Sequence, residues 1–366
     1  MRAILHLLRS YDWLLIATVF VLSAIGLAAI YSVDLSRGGG SEHLTYVPKQ
    51  MTALFIGIVA LFAAGSFQAS FYQSTVKAWY ALSVLLLAAV LFFGTTINNT
   101  TGWFRFGSLS FQPAEFAKVG LVLGLGWMVA RVGRRFDRIQ YVIVTGLVAA
   151  LPAILIFLQP DFGSTVVLIS VWFGILSITV MKKRYLFGIV GLAFLCGAMG
   201  WVGFFKPYQQ ERILTFFSPE RDPLGSGYNV TQSIIAVGSG SWFGRGLGFG
   251  SQSQLRFLPE AQTDFIFSVI AEELGFVGVS LVLFLYFLLL WRLISIAYQA
   301  QNDFNAYVIL GIACLFFVQI MLNIGSAIGL VPVTGVTLPF LSYGGSSLLI
   351  NFLLVGIAQS VVRVRT

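Results

Sequence analysis

The sequence is poor in charged residues. Lys, Arg, Asp and Glu account for 10% of its 366 residues, whereas soluble domains contain about 25%. So few charges cannot cover the surface of a soluble fold of this length, which excludes an ordinary water-soluble enzyme. Cysteine and histidine are also scarce, with two of each. Because Cys196 and Cys314 fall within apolar runs, we expect packing residues and neither a disulfide nor a metal site.

Long apolar runs take the place of the missing charges. Apolar residues make up 58% of the chain, and several uncharged runs exceed the roughly 20 residues that cross a hydrocarbon core. The run 304–362 suffices for two crossings, because the segment 329–335 in its middle contains helix-breaking glycine and proline. The sequence predicts an all-α polytopic membrane protein, a single domain over residues 1–366. Its ten predicted spans are 12–33, 49–68, 76–97, 113–131, 139–159, 162–181, 185–205, 264–291, 306–328 and 343–362.

The basic residues predict the orientation of these spans, because cytoplasmic loops retain Lys and Arg. With the N-terminus inside, the cytoplasmic segments hold most of the basic residues, including Arg134, Arg135 and Lys182, and few acidic ones. The net charge of +8 therefore reflects topology and is no argument for nucleic-acid binding. We expect both termini in the cytoplasm.

Two segments on the predicted outer face are long. The segment 206–263 forms one large extracellular loop, and a second segment covers 96–113. Long loops on a rigid scaffold commonly carry function. Shielding of the span ends, or contact with a partner, explains their length equally well.

Charged residues at the ends of spans are candidates for a site. Pro113 opens the fourth span, and Glu115 and Lys118 follow on neighbouring positions of its first turns. Charges at the edge of the hydrocarbon region are costly and usually face a cavity or pathway, although a local ion pair would also explain these two. Asp161, at the mouth of the sixth span, is either a site residue or a helix N-cap.

The end of the large loop carries the strongest candidates for acid–base chemistry. Glu260 and Asp264 are four residues apart, so a helix would place them on one face. Partly desolvated carboxylates can have raised pKa values and act as general bases, whereas a solvated acidic helix start is the competing interpretation. Cations on the same outer face suit phosphate or pyrophosphate, or are ordinary surface charges. They are Arg105, Lys206, Arg212, Arg221, Arg245 and Arg256.

These residues predict an outward-facing rim of carboxylates and cations above spans that admit a lipid tail. Such a rim fits an enzyme that acts on a lipid-linked, phosphate-bearing substrate. It also fits a transporter for one, and physical arguments alone leave both open.

Five separated motifs resemble one family of membrane proteins. They are FQPAEFAK at 111–118, QPDFGS at 159–164, DPLGSGYN at 222–229, LPEAQTDFIF at 258–267 and LPFLSYGGSS at 338–347. In this order, over essentially the whole length, they make the chain similar to the SEDS proteins (shape, elongation, division and sporulation). The run 250–255 and the short tails resemble the elongation branch. Ala114 and Gln262 stand where Ser and His are common, but neither change removes a charged group.

The resemblance implies a peptidoglycan glycosyltransferase, a hexosyltransferase that polymerises lipid II at the outer face of the bacterial cytoplasmic membrane during cell elongation. It implies an inverting transfer with Asp264 as the catalytic general base. Stabilisation of the leaving undecaprenyl pyrophosphate then falls to cationic side chains, with a divalent cation, Mg or Mn, as a further candidate. The expected substrate-binding residues are Glu115, Lys118, Asp161, Arg105, Arg212, Arg245 and Glu260.

The resemblance also implies partners. These are lipid II, the undecaprenyl-pyrophosphate-linked glycan, a class B penicillin-binding protein as transpeptidase, and other membrane proteins of the elongation complex. Because small residues favour helix contacts in lipid, the segments 325–327 and 344–347 are the predicted docking surface. A lipid II flippase and a scaffold without catalytic role are the alternatives. A flippase needs polar residues deep in several spans, whereas the charges here crowd the outer rim.

Overall fold

The computed structural model describes residues 10–36, 44–97, 100–107, 109–132, 139–179, 182–203, 205, 207–218, 222 and 225–363. Within these ranges, nine helices are long and apolar enough to cross a membrane, and the apolar helix Phe162–Ile178 is shorter. Each of these helices overlaps one of the ten predicted spans. The prediction of an all-α polytopic membrane protein is therefore confirmed.

Most helices are joined by short connections. The long ones are the segments 94–112 and 328–344 and the large loop, in which the described residues form three further helices. In chain order the helices are α1 (Trp13–Leu35), α2 (Val47–Ser66), α3 (Ala69–Phe93), α4 (Pro113–Val132), α5 (Ile139–Phe157), α6 (Phe162–Ile178), α7 (Lys183–Gly203), α8 (Pro207–Phe217), α9 (Ser226–Ser239), α10 (Ser251–Gln254), α11 (Ile266–Tyr298), α12 (Asp303–Ala327) and α13 (Gly345–Arg363). Helices α8, α9 and α10 are those of the large loop.

Several helix starts follow from side chains that cap the first backbone N–H groups. The carboxylate of Asp12 accepts a hydrogen bond from the N–H of Leu15 at the start of α1. Asn302 accepts in the same way at the start of α12. Such caps stabilise a helix end by about 1 kcal/mol, and they determine where these two helices begin.

Helices α4, α12 and α13 form the centre of the bundle and are buried over most of their length. Helix α13 packs along α2, while α4 packs against α3 and α12. Helix α12 also contacts α6 and α11. The candidate site lies at the end of the bundle where α4 and α13 begin and α12 ends.

A small antiparallel sheet, which the sequence analysis did not predict, lies between α3 and α4. Its strands are β1 (Thr95–Ile97), β2 (Thr100–Phe106) and β3 (Leu109–Phe111), in the order β1-β2-β3. Strand β3 leads into α4 through Gln112 alone. The sheet therefore fixes the position of the charged first turns of α4.

Helix α11 is broken at Gly275, whose φ is +66°. The segment 240–246 bonds into this break with its backbone. The N–H groups of 245 and 246 donate to the carbonyl oxygens of 272 and 273 (3.0 and 2.9 Å), and the carbonyl oxygens of 241 and 242 accept from the N–H groups of 276 and 277 (2.9 and 3.0 Å). The break thus satisfies its polar backbone groups within the protein, as an apolar surrounding requires.

Most of the docking surface predicted from small residues is buried within the chain, although Gly345 is exposed and Gly344 is half-buried. Residues 325–327 are buried, and so are Ser346 and Ser347. The hydroxyl of Ser346 accepts from the N–H of Gln112 (3.1 Å), and that of Ser347 lies 2.8 Å from the Thr337 hydroxyl. The buried small residues therefore serve close packing inside this chain, and docking of a partner at the remaining positions stays a prediction.

Candidate functional site

Asp264 lies in a series of turns over 259–265 that precedes α11, which starts at Ile266. The prediction that Glu260 and Asp264 share a helix face is therefore wrong. Glu260 has φ +50°, a left-handed conformation that a regular helix does not contain. One turn nevertheless joins the two residues, because the N–H of Asp264 donates to the carbonyl oxygen of Glu260 (3.1 Å). Glu260 and Asp264 are therefore close together although no helix joins them.

Asn323 in α12 holds the backbone of Asp264 in place. The side-chain amide of Asn323 donates to the carbonyl oxygen of Asp264 (3.0 Å) and to that of Val336 (2.8 Å). Asn323 is 1% exposed, so these hydrogen bonds form away from water, where they are electrostatically stronger. A single buried amide therefore fixes both the acidic motif and the segment before α13.

The acidic motif is also bonded to the motif at 338–347. The hydroxyl of Ser342 donates to the carbonyl oxygen of Thr263 (2.6 Å), and the N–H of Tyr343 donates to that of Gln262 (2.8 Å). Gln50 of α2 in turn bonds the carbonyl oxygen of Ser342. Two motifs that lie about 80 residues apart in the sequence thus form one structural unit.

The environment of Asp264 raises the pKa of its carboxyl group to about 6. Burial is the main cause, because it disfavours the charged form. The negative charge of Glu260 raises this pKa further, whereas the positive charge of Arg212 in α8 lowers it. A carboxyl group with such a pKa is largely ionised at neutral pH and accepts a proton readily, which suits a general base.

A second cluster forms at the start of α4. The ammonium group of Lys118 lies 2.6 Å from Glu115 Oε1, and both side chains are buried, with 2% and 6% exposed. The other oxygen, Glu115 Oε2, has no hydrogen-bond partner among the described residues. An ion pair that only neutralises itself does not need this free acceptor, so the pair can bind a further group.

Asp161 joins this cluster from the start of α6. It caps α6 by accepting from the N–H of Ser164 (2.9 Å), and its other oxygen accepts from the Ser164 hydroxyl (2.7 Å) and from the amide of Gln112 (3.1 Å). Burial is the main reason that the pKa of Asp161 is raised, and the charges of Lys118 and Glu115 act on it in opposite directions. The interpretation of Asp161 as a helix cap is confirmed, and its role as a site residue beside the ion pair stays a prediction.

The segment Val333–Val336 connects the two clusters. On one side, a guanidinium N–H of Arg212 donates to the carbonyl oxygen of Val333 (3.4 Å), and a Cβ on Gly335 would lie 3.9 Å from Asp264 Oδ2. On the other side, Gly163 of α6 lies so close to the carbonyl oxygen of Thr334 that a Cβ would come within 2.2 Å of it. Only glycine permits this approach, so Gly163 brings the Asp161 cluster up to Asp264.

The remaining predicted cations lie in other places. Arg105 is exposed on β2, opposite Ser110 of β3. Arg245 is exposed and donates to the Ser251 hydroxyl (3.0 Å), beside Glu272. Lys206 and Arg221 lie outside the described residues. Of the predicted arginines, the structure therefore places Arg212 beside Asp264, and substrate contacts of Arg105 and Arg245 stay predictions.

Sequence reasoning missed Gln112 and Asn323. Gln112 bonds the carboxylate of Asp161 in one cluster, and Asn323 bonds the backbone of Asp264 in the other. Asn323 had a visible signal, because it is an amide in the middle of the uncharged run 304–362. Polar residues within a span usually face the interior of the bundle. Gln112 lay inside a quoted motif without a role of its own.

The described residues contain no group of three His, Cys, Asp or Glu side chains that could hold a metal ion. Asp264 and Glu260 supply two neighbouring carboxylates. Mg²⁺ is often held by one or two carboxylates together with phosphate oxygens of the substrate. These two residues therefore fit a cation that arrives with a phosphate-bearing substrate.

Comparison with known proteins gives close relatives over nearly the whole chain. The probable peptidoglycan glycosyltransferase FtsW of Neisseria gonorrhoeae (strain NCCP11945) is 36% identical, with 93% of this chain and 82% of the relative covered. A solved chain from a peptidoglycan synthase complex that coordinates polymerization and crosslinking is 34% identical, with a TM-score of 0.82 and 97% and 98% of the two chains covered. The solved rod shape determining protein RodA of Thermus thermophilus is 31% identical, with a TM-score of 0.73 and 97% of both chains covered.

The match also extends to a family as a whole. The family model for the cell cycle proteins FtsW, RodA and SpoVE matches residues 12–366. It includes all five motifs, and with them the Asp264 and Glu115–Lys118 clusters. The chain belongs to this family, that of the SEDS proteins.

Proposed function

We propose that this SEDS glycosyltransferase polymerises lipid II, and that Asp264 is its general base. The observation that carries the proposal is the position of Asp264, whose backbone Asn323 holds in place and on whose carboxyl group the positive charge of Arg212 acts. Burial raises the pKa of this carboxyl group to about 6. A base and a cation next to each other are the two groups that a transfer from a pyrophosphate-linked sugar requires.

The reaction is a single displacement at the anomeric carbon of the donor sugar. The 4-hydroxyl of the acceptor disaccharide gives its proton to Asp264, and its oxygen forms the new glycosidic bond. The bond between the anomeric carbon and the pyrophosphate oxygen breaks, and undecaprenyl pyrophosphate leaves with the electron pair. Configuration inverts, so no covalent glycosyl-enzyme is required.

Arg212 and Lys118 are the proposed stabilisers of the leaving pyrophosphate. Arg212 adjoins Asp264, and Lys118 lies on the other side of the segment 333–336. Positive groups aimed at developing charge are often the largest single contribution to catalysis. A divalent cation held by Asp264 and Glu260 would supply further neutralisation of the phosphates.

Purified wild-type chain in detergent should convert labelled lipid II into glycan. Detergent micelles have no two sides, so flipping has no meaning there, and glycan formation reports the enzyme alone. Gel separation of the labelled products measures chain length, with heat-denatured protein as the control. Absence of glycan, together with lipid II translocation in vesicles, would favour a flippase.

The rate of polymerisation should fall as the pH is lowered through about 6, because protonated Asp264 cannot accept a proton. Arg212→Gln removes a charge that lowers this pKa and should move the acid limb to higher pH. Glu260→Gln removes a charge that raises it and should move the limb to lower pH. Profiles of kcat/KM against pH measure both shifts. If the acid limb lies at the same pH in the wild type and in both variants, Asp264 is not the group whose titration limits the rate.

We propose that the end of the bundle with Asp264 faces the outside of the bacterial cytoplasmic membrane. The opposite end carries Arg131, Lys182, Arg292 and Arg363, at the ends of α4, α7, α11 and α13. Basic residues are retained on the cytoplasmic side. Because α1 begins and α13 ends at this end of the bundle, we also propose a cytoplasmic location for both termini.

Single cysteines should report this orientation in intact cells. In a chain without Cys196 and Cys314, a cysteine at Leu255, which is 64% exposed, should react with a membrane-impermeant thiol reagent. A cysteine at exposed Ser70, at the opposite end, should react only after the cells are opened. The reverse pattern would invert the topology.

A class B penicillin-binding protein is the proposed partner. The similar solved chain comes from a complex that coordinates polymerization with crosslinking, and crosslinking requires a transpeptidase. The resemblance of the run 250–255 to the elongation branch supports a role in elongation, together with the other membrane proteins of the elongation complex. Depletion in growing cells distinguishes the roles, since loss of rod shape supports elongation and filamentation supports division.

A further inference from the structure

Gln319 in α12 is a buried amide inside the helix bundle. It is 0% exposed, and neither its amide oxygen nor its amide nitrogen has a hydrogen-bond partner among the described residues. Two unbonded polar atoms on one buried side chain are costly, and buried polar groups are normally bonded to protein or to ordered water. Gln319 therefore requires a partner that lies between α12 and a neighbouring helix.

The packing of α12 against α4 shows which neighbour faces Gln319. The two helices are antiparallel, and they approach closely at two glycines. A Cβ on Gly126 of α4 would lie 2.7 Å from the side chain of Val308 in α12. A Cβ on Gly311 of α12 would lie 3.0 Å from the side chain of Val122 in α4. These two contacts fix the register of the helix pair.

In this register Gln319 is level with Glu115. Eleven residues separate Glu115 from Gly126, and eleven separate Val308 from Gln319. Because eleven residues make about three helical turns, each residue lies on the same helix face as the contact residue of its own helix. In an antiparallel pair both steps also lead in the same direction, by about 16.5 Å. Glu115 and Gln319 therefore face each other across the contact between α4 and α12.

The polar atoms at this level complement each other. Glu115 Oε1 is bonded to Lys118, whereas Glu115 Oε2 has no donor among the described residues. Gln319 Nε2 has N–H groups to donate, but the two side chains do not bond directly. A bridging group must accept from the amide and donate to the carboxylate. Water does both and usually makes about three hydrogen bonds when buried, whereas a metal cation cannot accept from an N–H group.

We propose that Gln319 is a positioning residue for the Glu115–Lys118 pair and acts through one buried water between α4 and α12. The Gln319 amide donates to this water, and the water donates to Glu115 Oε2. The carboxylate is then held in one orientation, and with it the Lys118 ammonium on Oε1. The catalytic consequence rests on the proposed function, whereas the hydrogen bonds do not. Asn323, one turn further along α12, holds Asp264, so one helix positions both clusters.

Thermal unfolding of the full-length chain in detergent tests the hydrogen bonds, because two roles of Gln319 predict opposite signs. Gln319→Met replaces the amide with an apolar side chain of similar length. If the amide holds water on Glu115, the replacement weakens the bonding of a buried charged oxygen and lowers the Tm. If the amide serves no partner, the replacement removes a buried unsatisfied group and raises the Tm. We expect the lower Tm.

A background without the ion pair completes this test. In a chain with Glu115→Met and Lys118→Met, the water has no charged acceptor, so Gln319→Met should leave the Tm unchanged or raise it. Gln359→Met is the matched control, because Gln359 is 0% exposed and bonds the backbone of Asp12 at the other end of the bundle. It should lower the Tm equally in both backgrounds.

Two results of the unfolding test would overturn the proposal. They are a higher Tm of Gln319→Met in the wild-type background, and an equal loss in both backgrounds. If Gln319→Met does not fold by itself, folding of the same change in the background without the ion pair supports the proposal, and failure there as well counts as an equal loss.

Infrared spectroscopy and kinetics separate the inference from the proposed function. The isotope-edited carboxylate stretch of Glu115 should shift in Gln319→Met and stay unchanged in Gln359→Met. In the same variant, kcat for lipid II should fall roughly 10- to 100-fold, the factor for one hydrogen bond to a charged group, with little change in KM. A shifted stretch with an inactive wild type would reject the proposed function alone. An unshifted stretch, or an unchanged kcat in an active chain, would overturn the positioning role.

Discussion

Asp264→Asn should lower lipid II polymerisation by about 10²- to 10⁴-fold, the usual contribution of a general base. The substitution preserves size and the backbone hydrogen bond from Asn323, but it removes the proton acceptor. Lipid II binding should survive, since the pyrophosphate and the lipid tail supply most of the affinity. Single-turnover polymerisation and equilibrium binding of labelled lipid II, measured on the same preparation, separate the two effects.

Asp303→Asn is the matched control for this change. Asp303 is exposed in the first turn of α12, at the end of the bundle away from Asp264. Its replacement should leave both the rate and the thermal stability unchanged. If Asp264→Asn polymerises at the wild-type rate, Asp264 is not the base and Glu260 becomes the candidate.

Removing one partner of the Glu115–Lys118 pair should abolish most activity and destabilise the protein. Lys118→Ala leaves a buried carboxylate without its cation, and loss of one partner of a buried pair costs about 3–5 kcal/mol. Glu115→Ala leaves the buried ammonium group in the same situation. Thermal unfolding in detergent measures the loss of stability, and polymerisation at a temperature where each variant is folded measures function.

The double variant distinguishes a structural pair from a functional one. Glu115→Gln combined with Lys118→Met removes both charges and should regain much of the lost stability, because no unpaired charge remains buried. Its polymerisation should stay low if Lys118 stabilises the leaving pyrophosphate. If activity recovers together with stability, the Glu115–Lys118 pair has a structural role only.

The spans could be predicted from sequence because the bilayer imposes a simple rule on length and apolarity. The start of α4 at Pro113 and the cap of α6 by Asp161 followed from local signals of the same kind. The sheet at 95–111 was missed, since its strands are short and two of them have only three residues. Their pairing depends on the turns between them and not on a periodic pattern.

The site was harder to predict because its contacts join distant segments. The motifs suggested which residues matter, but no spacing rule shows that Asn323 bonds to Asp264 or that Gln112 bonds to Asp161. The helical spacing of Glu260 and Asp264 misled, since the left-handed conformation of Glu260 is a tertiary effect. Small residues did not separate two roles, because close packing within one chain and docking of another require the same side chains.

The order in which the ribosome delivers these residues has a consequence for the cell. Asp264 leaves the ribosome well before Asn323, Ser342 and Tyr343, which fix its backbone and that of its neighbours. A nascent chain that ends before residue 323 lacks all three of these residues, because translation proceeds from the N-terminus. Unfinished translation products of this kind therefore lack the hydrogen bonds that fix the backbone around Asp264.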